Sequence, residues 1–142
     1  MNREAIFAAL YDVWTNAAGA QISTTSRKLL NWADVPLSQR PAAFQAQGDE
    51  IAVRMTGFPV RWTLDAKIYV YVSTVGAMSP GIVMNPILDA IASAFGDPFF
   101  GVPQTLGGLV QWARIEGNIV TSEGTLGDDE ISVIPVRILA VE

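Results

Sequence analysis

Carboxylates are the only side chains of this sequence suited to acid–base catalysis near neutral pH, because the chain contains no histidine and no cysteine. Asp128, Asp129 and Glu130 form the one dense acidic cluster, and Glu123 lies close to them in the chain. Three consecutive acids point in different directions, whereas hydrolytic pairs face each other across a cleft. A calcium loop of the D-x-D-x-D-G type is also missing. The cluster therefore predicts a solvated turn, and we expect no enzyme, no cofactor and no metal site.

A segment with several glycines, residues 101–108, is the next candidate, since glycine-rich loops can cradle phosphate groups. It contains no Gly-Lys-Ser or Gly-Lys-Thr sequence, and it does not join a hydrophobic strand to a helix. The segment predicts a flexible connection within a loop over residues 97–108, and no nucleotide-binding site.

Aromatic and basic residues supply candidates for a surface that contacts a partner. Trp32 stands near the basic pair Arg27-Lys28, which makes it harder to bury than a tryptophan on an apolar face. Tyr69 and Tyr71 lie on the otherwise polar face of a predicted strand, and amphipathic aromatic residues are enriched where proteins meet. With the acidic cluster included, the interface candidates are Arg27, Lys28, Trp32, Arg61, Tyr69, Tyr71, Asp128, Asp129 and Glu130.

Charge is scarce and unevenly distributed along the 142 residues. Charged residues make up 16% of the chain and hydrophobic residues 50%, which indicates either a buried core alone or a buried core together with a subunit interface. Residues 1–67 carry seven basic and six acidic side chains, whereas residues 68–142 carry two basic and eight acidic ones. The acidic second half would repel a duplex, so we expect no sequence-specific binding to nucleic acid.

The weakly charged stretch between Lys67 and Arg114 is too interrupted to span a membrane. Pro80 and Pro86 break its apolar runs well short of the roughly 20 residues that a membrane helix needs. Residues 1–14 include two acidic side chains and predict an amphipathic helix rather than a signal peptide. We therefore expect a protein that folds in the cytoplasm and does not contact a membrane.

Hydrophobic periodicity predicts the elements that must position these residues. Apolar residues recur at helical spacing after Asn2, which predicts a helix that ends near Gly19. Strict alternation over residues 60–72 predicts a long strand with one polar face, as in an antiparallel sheet covered on one side. A second helix is predicted to begin either at Asn85 or earlier, near Pro80.

Shorter patterns predict further strands over residues 27–32, 42–47, 109–116, 118–122 and 131–141. Residues 48–50 predict a turn or mobile loop, and the third and fourth of these strands are expected to form a hairpin with each other. The sequence thus predicts a single α+β domain over residues 1–142. It comprises an antiparallel sheet of about five to six strands with two helices packed on one face.

Eight short segments spread over most of the chain form a combined pattern: NREAI (2–6), NWADVP (31–36), FQAQ (44–47), LDAKIYVYV (64–72), NPILDAI (85–91), QTLGG (104–108), IEG (115–117) and EGTLGD (123–128). In this order they resemble the small tail terminator, or tail completion, proteins of long-tailed bacteriophages. None of the segments is a catalytic signature, so the likeness depends on their joint order.

The resemblance implies an α+β fold and a homohexameric ring on the end of the tail tube. Such a ring stops tube polymerisation and presents a surface to the head, so the implied partners are the tail tube protein and a head–tail connector protein. The implied location is the virion tail, assembled in the cytoplasm of a host bacterium, with DNA passing through the ring. Two alternatives stay open: a head–tail connector protein, and a small ligand- or peptide-binding module that uses residues 98–108 with Trp112.

Overall fold

The structure, a computed structural model, describes residues 1–96 and 101–142, except for the side chains of Thr125 and Leu126. In these residues two α-helices and six β-strands form an α+β fold, which confirms the fold class that the sequence predicts. In chain order the elements are α1 (Arg3–Ala18), β1 (Thr24–Ser26), β2 (Ala42–Val53), β3 (Arg61–Ser73), α2 (Pro80–Ala92), β4 (Trp112–Ile115), β5 (Val120–Leu126) and β6 (Asp129–Val141).

The six strands form one curled sheet in the order β1-β2-β3-β6-β4, and β5 also pairs with β6. The sheet is mostly antiparallel, as predicted, with one exception: β1 runs parallel to β2 over residues 24–26. A parallel pair needs a crossover rather than a tight turn, and residues 27–41 supply it. Both helices pack on one face of the sheet; we call the opposite face the outer face.

The first helix forms where the sequence predicts it. The Asn2 side chain accepts a hydrogen bond from the backbone N–H of Ala5 at 3.0 Å and thereby caps the helix N-terminus. Trp14 is fully buried, and its indole N–H donates to the side-chain oxygen of Gln45 in β2 at 2.9 Å. The Gln45 amide in turn donates to the Phe7 carbonyl oxygen, so a satisfied polar link fixes α1 against the sheet.

The second helix begins at Pro80, the earlier of the two predicted starts, and Pro86 lies inside it. A proline in the first turn fits because the N–H that it lacks would have no partner within the helix. Gly96 follows with a φ of 87°, and a Cβ at this position would lie 2.4 Å from the Val102 carbonyl oxygen. Glycine is therefore required where the helical segment ends. In the described ranges, no helix is long and apolar enough to cross a membrane.

The prediction of a turn at residues 48–50 is wrong, because β2 continues through them. Its register with β3 shifts between Gln47 and Glu50, which marks a β-bulge. Gly48 lies in this bulge, where an added Cβ would be 3.2 Å from the Asp65 carbonyl oxygen. Gly48 and Asp49 are residues that favour turns, but here they only bend the strand. Pairing with β3 keeps the backbone extended on both sides of the bulge.

β4 and β5 do not form the predicted hairpin with each other. Both pair antiparallel with β6, so they lie end to end along one of its edges. Between them, the Glu116 N–H donates to the Pro135 carbonyl oxygen at 3.2 Å. In a strand, the backbone N–H and carbonyl of one residue point toward the same neighbouring strand. Pro135 has no N–H to donate on that side, and it lies opposite the gap between β4 and β5, where no strand residue needs such a donor. The tight turn joins β5 to β6 instead.

The main core lies between the helices and the sheet. Its largest fully buried members are Ile6, Phe7, Leu10, Trp14, Leu64, Ile68, Met84, Ile91, Ile134 and Ile138. A second, smaller core lies on the outer face, where residues from the crossover pack over one end of the strands; it comprises Val35, Ala42, Phe44 and Tyr71. This second core covers one end of the outer face.

Candidate assembly surface

The crossover between β1 and β2 is not the strand that was predicted over residues 27–32. The Ser26 hydroxyl accepts a hydrogen bond from the Lys28 N–H at 3.0 Å, directly after β1 ends. The Asn31 side chain accepts from the Ala33 N–H at 3.0 Å and caps a 3-10 turn that begins at Trp32. These local side-chain bonds to the backbone replace a strand ladder and fold the segment over the sheet.

This segment and the outer face enclose a shallow groove of about 400 Å³. We call it the aromatic groove; its lining residues are Leu29, Leu30, Asn31, Trp32, Tyr69, Tyr71, Ile131 and Val133. Leu29 and Leu30 remain exposed at its edge, and Trp32 and Tyr69 are half-buried. The structure thus brings together three of the predicted interface candidates, Trp32, Tyr69 and Tyr71, on one apolar surface.

Tyr71 departs from the prediction of a surface residue because it is only 5% exposed. Its ring packs against Phe44 with the ring centroids 5.5 Å apart, and its hydroxyl donates to the Leu30 carbonyl oxygen at 2.8 Å. Burial, and to a lesser extent the neighbouring Tyr69, raises the pKa of the Tyr71 hydroxyl. Tyr71 therefore forms the floor of the groove and holds its wall in place.

We expect Tyr71→Phe to lower the free energy of unfolding by about 1 kcal/mol, because it leaves the Leu30 carbonyl without its donor while keeping the ring. Equilibrium denaturation with urea measures this change. Tyr69→Phe serves as the control, since Tyr69 is half-buried in the same groove. An equal loss in both variants would contradict the assigned role of the Tyr71 hydroxyl.

Asp129 was predicted to lie in a solvated turn, but it forms an ion pair with Arg40. The Arg40 side chain is almost fully buried, and its guanidinium also donates to the carbonyl oxygens of Trp32 at 2.8 Å and Val35 at 3.2 Å. One arginine therefore ties the crossover to the start of β6. No local pattern in the sequence indicates this role of Arg40, because the two partners lie 89 positions apart in the chain.

The other two acids of the cluster have different surroundings. Asp128 is exposed, as predicted, and its carbonyl oxygen accepts from the Thr74 N–H at 2.7 Å. Glu130 is only 2% exposed and lies on the helix-facing side of β6, opposite Val72, which contradicts the prediction of a solvated residue. Strand alternation turns consecutive residues to opposite faces, so Asp129 and Glu130 cannot share one environment.

Glu130 carries an unsatisfied oxygen. Its Oε2 atom is buried and has no hydrogen-bond partner among the described residues. Burial first, and then the charge of Glu123, raises the pKa of the Glu130 carboxyl above its ordinary value. The ionised form is thus disfavoured at this end of the sheet.

The basic candidates do not gather into one patch. Arg27 pairs with Glu4 of α1, with N–O distances of 2.6 and 3.2 Å, which joins the crossover to the helix. Lys28 is exposed beside the aromatic groove, and Arg61 is exposed at the start of β3. Arg61 therefore lies at the opposite end of the sheet from the groove.

Arg61 belongs to a second apolar surface, at the end of the β2–β3 hairpin. We call residues 54–61 the hairpin tip. Met55 is 61% exposed and Phe58 68% exposed, and two exposed arginines, Arg54 and Arg61, flank them. Exposed aromatic and methionine side chains in one protrusion are typical of a surface that is covered by a partner. Of this region, only Arg61 is among the interface candidates predicted from the sequence.

A charged band separates the two apolar surfaces on the outer face. Arg137 pairs with Asp65, with N–O distances of 2.9 and 3.2 Å, and its guanidinium also approaches Glu116 at 3.8 Å. Arg114 binds Glu116 at 2.8 Å and stacks over the Trp112 ring at 3.9 Å. The charges of this band neutralise one another.

An apolar cleft of about 640 Å³ lies on another part of the molecule. Phe95, Val102, Pro103, Trp112 and Ile119 are among its lining residues. This cleft includes part of the loop that was predicted over residues 97–108, of which residues 97–100 lie outside the described ranges. Gln104 still forms an isolated bridge with Ala113, which anchors the described part of the loop to β4.

The described residues contain no group of three acidic, histidine or cysteine side chains that could hold a metal ion. The acidic cluster is divided among an exposed turn, an ion pair and a buried carboxyl, so its members do not converge on one point. What the arrangement offers is contact area: one groove, one protruding tip and one cleft.

No protein-family model and no curated protein matches this chain. Solved structures do share its fold. A chain of the virion of a native gene transfer agent particle matches with a TM-score of 0.52 and 12% identity, over 95% of this chain and 93% of that one. A second solved chain matches with a TM-score of 0.52 and 17% identity, over 100% of this chain and 96% of its own length. At these identities the likeness shows a common fold.

Proposed function

We propose that this protein is a structural subunit of a bacteriophage or phage-like virion. The observation that carries the proposal is the fold shared with a chain of a gene transfer agent virion along nearly the whole length of both. The aromatic groove and the hairpin tip support it, because a virion subunit must leave surface available for its neighbours.

More narrowly, we propose a tail terminator: a ring of six copies that caps the tail tube and joins it to the head. The segment order that resembles tail terminators supports this role. The unlike charges of the two halves of the chain support a head-to-tail contact between copies, which closes into a ring when its rotation permits. The tail tube protein and a head–tail connector protein are the proposed partners.

The proposed ring would also let DNA pass. Eight of the 14 acidic residues, but only two of the nine basic ones, lie in residues 68–142. An acidic wall repels phosphates and leaves no contacts to break as the duplex moves. A reconstruction of the ring with a basic lumen would overturn this part of the proposal.

Native mass spectrometry and negative-stain imaging test the ring directly. We expect closed rings of six copies, and we expect their assembly to weaken as chloride concentration rises, because charge steers the contact. Added to the tail tube protein of the same genome, the chain is expected to stop tube growth at one end. A chain that stays monomeric in isolation and also leaves tubes growing would overturn the terminator role, and binding to the head side alone would favour a connector.

A small-molecule or peptide-binding module is the second candidate, and the cleft beside Trp112 favours it. Clefts of several hundred cubic ångströms with apolar walls are typical of ligand sites. Titration of the chain with an environment-sensitive apolar dye, followed by Trp112→Ala, measures whether this cleft takes a ligand. Binding that vanishes in the variant would support the module, whereas binding unaffected by the variant would count against it.

A further inference from the structure

We propose that the hairpin tip of one copy inserts into the aromatic groove of the next copy, and that this is the head-to-tail contact of the assembly. The inference rests on the proposed ring and identifies the two surfaces that form it. The proposed occupant of the groove is therefore the hairpin tip of a second copy of this chain.

The two surfaces lie at opposite ends of one sheet. Arg61, in the hairpin tip, begins β3, whereas Tyr71, in the groove, lies near its end. The strand between them is extended and spans roughly 30 Å. A tip therefore cannot reach the groove of its own chain, and contact between them has to join two copies.

The apolar parts of the two surfaces are complementary. Met55 and Phe58 protrude, each more than half exposed, and the groove is concave and lined by aromatic and aliphatic side chains. Its volume of about 400 Å³ accommodates large side chains of this kind. Aromatic anchors that enter apolar pockets contribute most of the affinity in protein interfaces.

The charges at the two ends are complementary as well. The tip carries Arg54 and Arg61 and no acidic residue. Exposed Asp128 lies in the turn before β6, three residues ahead of Ile131 in the groove, while Lys28, next to Leu29, and Lys67 are exposed basic residues near it. The arginines of a neighbour that approaches from the Asp128 end of the sheet are attracted to this carboxylate.

Engineered disulfides test the contact, because the chain has no cysteine of its own. Thr56→Cys places one thiol in the tip, and Leu29→Cys places another at the edge of the groove. We expect a mixture of the Thr56→Cys and Leu29→Cys variants to form a disulfide-linked dimer. Its rate should be at least about 30-fold higher than that of a control mixture of Thr56→Cys with Ile82→Cys, an exposed position on α2.

Two further variants test the nature of the contact. Met55→Asp together with Phe58→Asp is expected to weaken self-association about 30-fold or more, whereas Ile82→Asp, another exposed apolar position, leaves it unchanged. Arg61→Glu is expected to weaken it as well, and Asp128→Arg in the partner copy to restore it. Thermal unfolding of each variant verifies that the fold is intact.

The outcomes separate this inference from the proposed function. Rings of six copies without the tip-to-groove cross-link would overturn the contact and leave the ring standing. Cross-linked open chains without rings would support the contact and overturn the ring. A monomer with no preferential cross-link at high concentration would overturn the contact, and if it also leaves tubes growing it would overturn the terminator role.

Discussion

Replacing Arg40 with alanine is expected to lower the free energy of unfolding by about 3 kcal/mol or more. The substitution leaves the partly buried Asp129 carboxylate without its ion-pair partner. It also leaves the carbonyl oxygens of Trp32 and Val35 without their hydrogen-bond donor. The crossover over the outer face then loses its link to β6. Chemical denaturation followed by tryptophan fluorescence measures the loss.

The matched control is Arg27→Ala, which removes an ion pair with an exposed partner, Glu4, from the same segment. We expect a much smaller loss there, because water solvates an exposed carboxylate that loses its partner. In the double variant Arg40→Ala with Asp129→Ala, the loss should be smaller than the sum of the two single losses, since no carboxylate is then stranded. Additive losses would contradict a direct ion pair.

Replacing Glu130 is expected to stabilise the protein at pH 7. Glu130→Met keeps the length of the side chain and removes the buried oxygen that has no partner among the described residues, so a gain of about 1–3 kcal/mol is expected. Glu130→Gln removes only the charge and is expected to give part of this gain. The free energy of unfolding of each variant, measured from pH 4 to pH 8, checks both expectations.

The sign of the pH dependence follows from the raised pKa of Glu130. The folded state holds this proton more tightly than the unfolded chain, so the wild-type free energy of unfolding falls as pH rises from the ordinary glutamate range through the raised value. In both Glu130 variants, this contribution to the decrease of the free energy of unfolding with rising pH should be absent. Glu123→Gln, which removes the neighbouring charge, should reduce it only slightly, because burial is the larger cause. A wild-type contribution that grows with pH would contradict the assignment.

Local patterns were sufficient to predict the helices and β3, one of the two longest strands. The Asn2 cap and the apolar spacing that follows it are encoded within a few residues, and the alternation along β3 reports two faces with different surroundings. The same alternation predicts Tyr69 and Tyr71 on the surface of the sheet, and Tyr69 is half-buried there. Tyr71 is buried because the crossover covers that end of the outer face.

The errors arose where distant parts of the chain decide the structure. Glycine and two acids at residues 48–50 have turn propensities, but pairing with β3 keeps them in a bulged strand. Pro135 splits the edge of β6, which local spacing cannot reveal. The partner of Asp129 is Arg40, and Glu130 is buried because β6 begins at Asp129, two residues before the predicted start at residue 131.

The bulge in β2 bears on how the chain avoids aggregation through a free edge of its sheet. β1 covers the lateral edge of β2 only as far as the pair Ser26 and Phe44. Beyond that pair, no strand in the described ranges pairs with this edge. An unpaired strand edge of this kind can pair with the edge strands of other molecules, which leads to aggregation. Gly48 kinks the edge, and Asp49 adds charge to it. The irregularity that hid the strand in the sequence therefore protects this edge against pairing with the edge of another molecule.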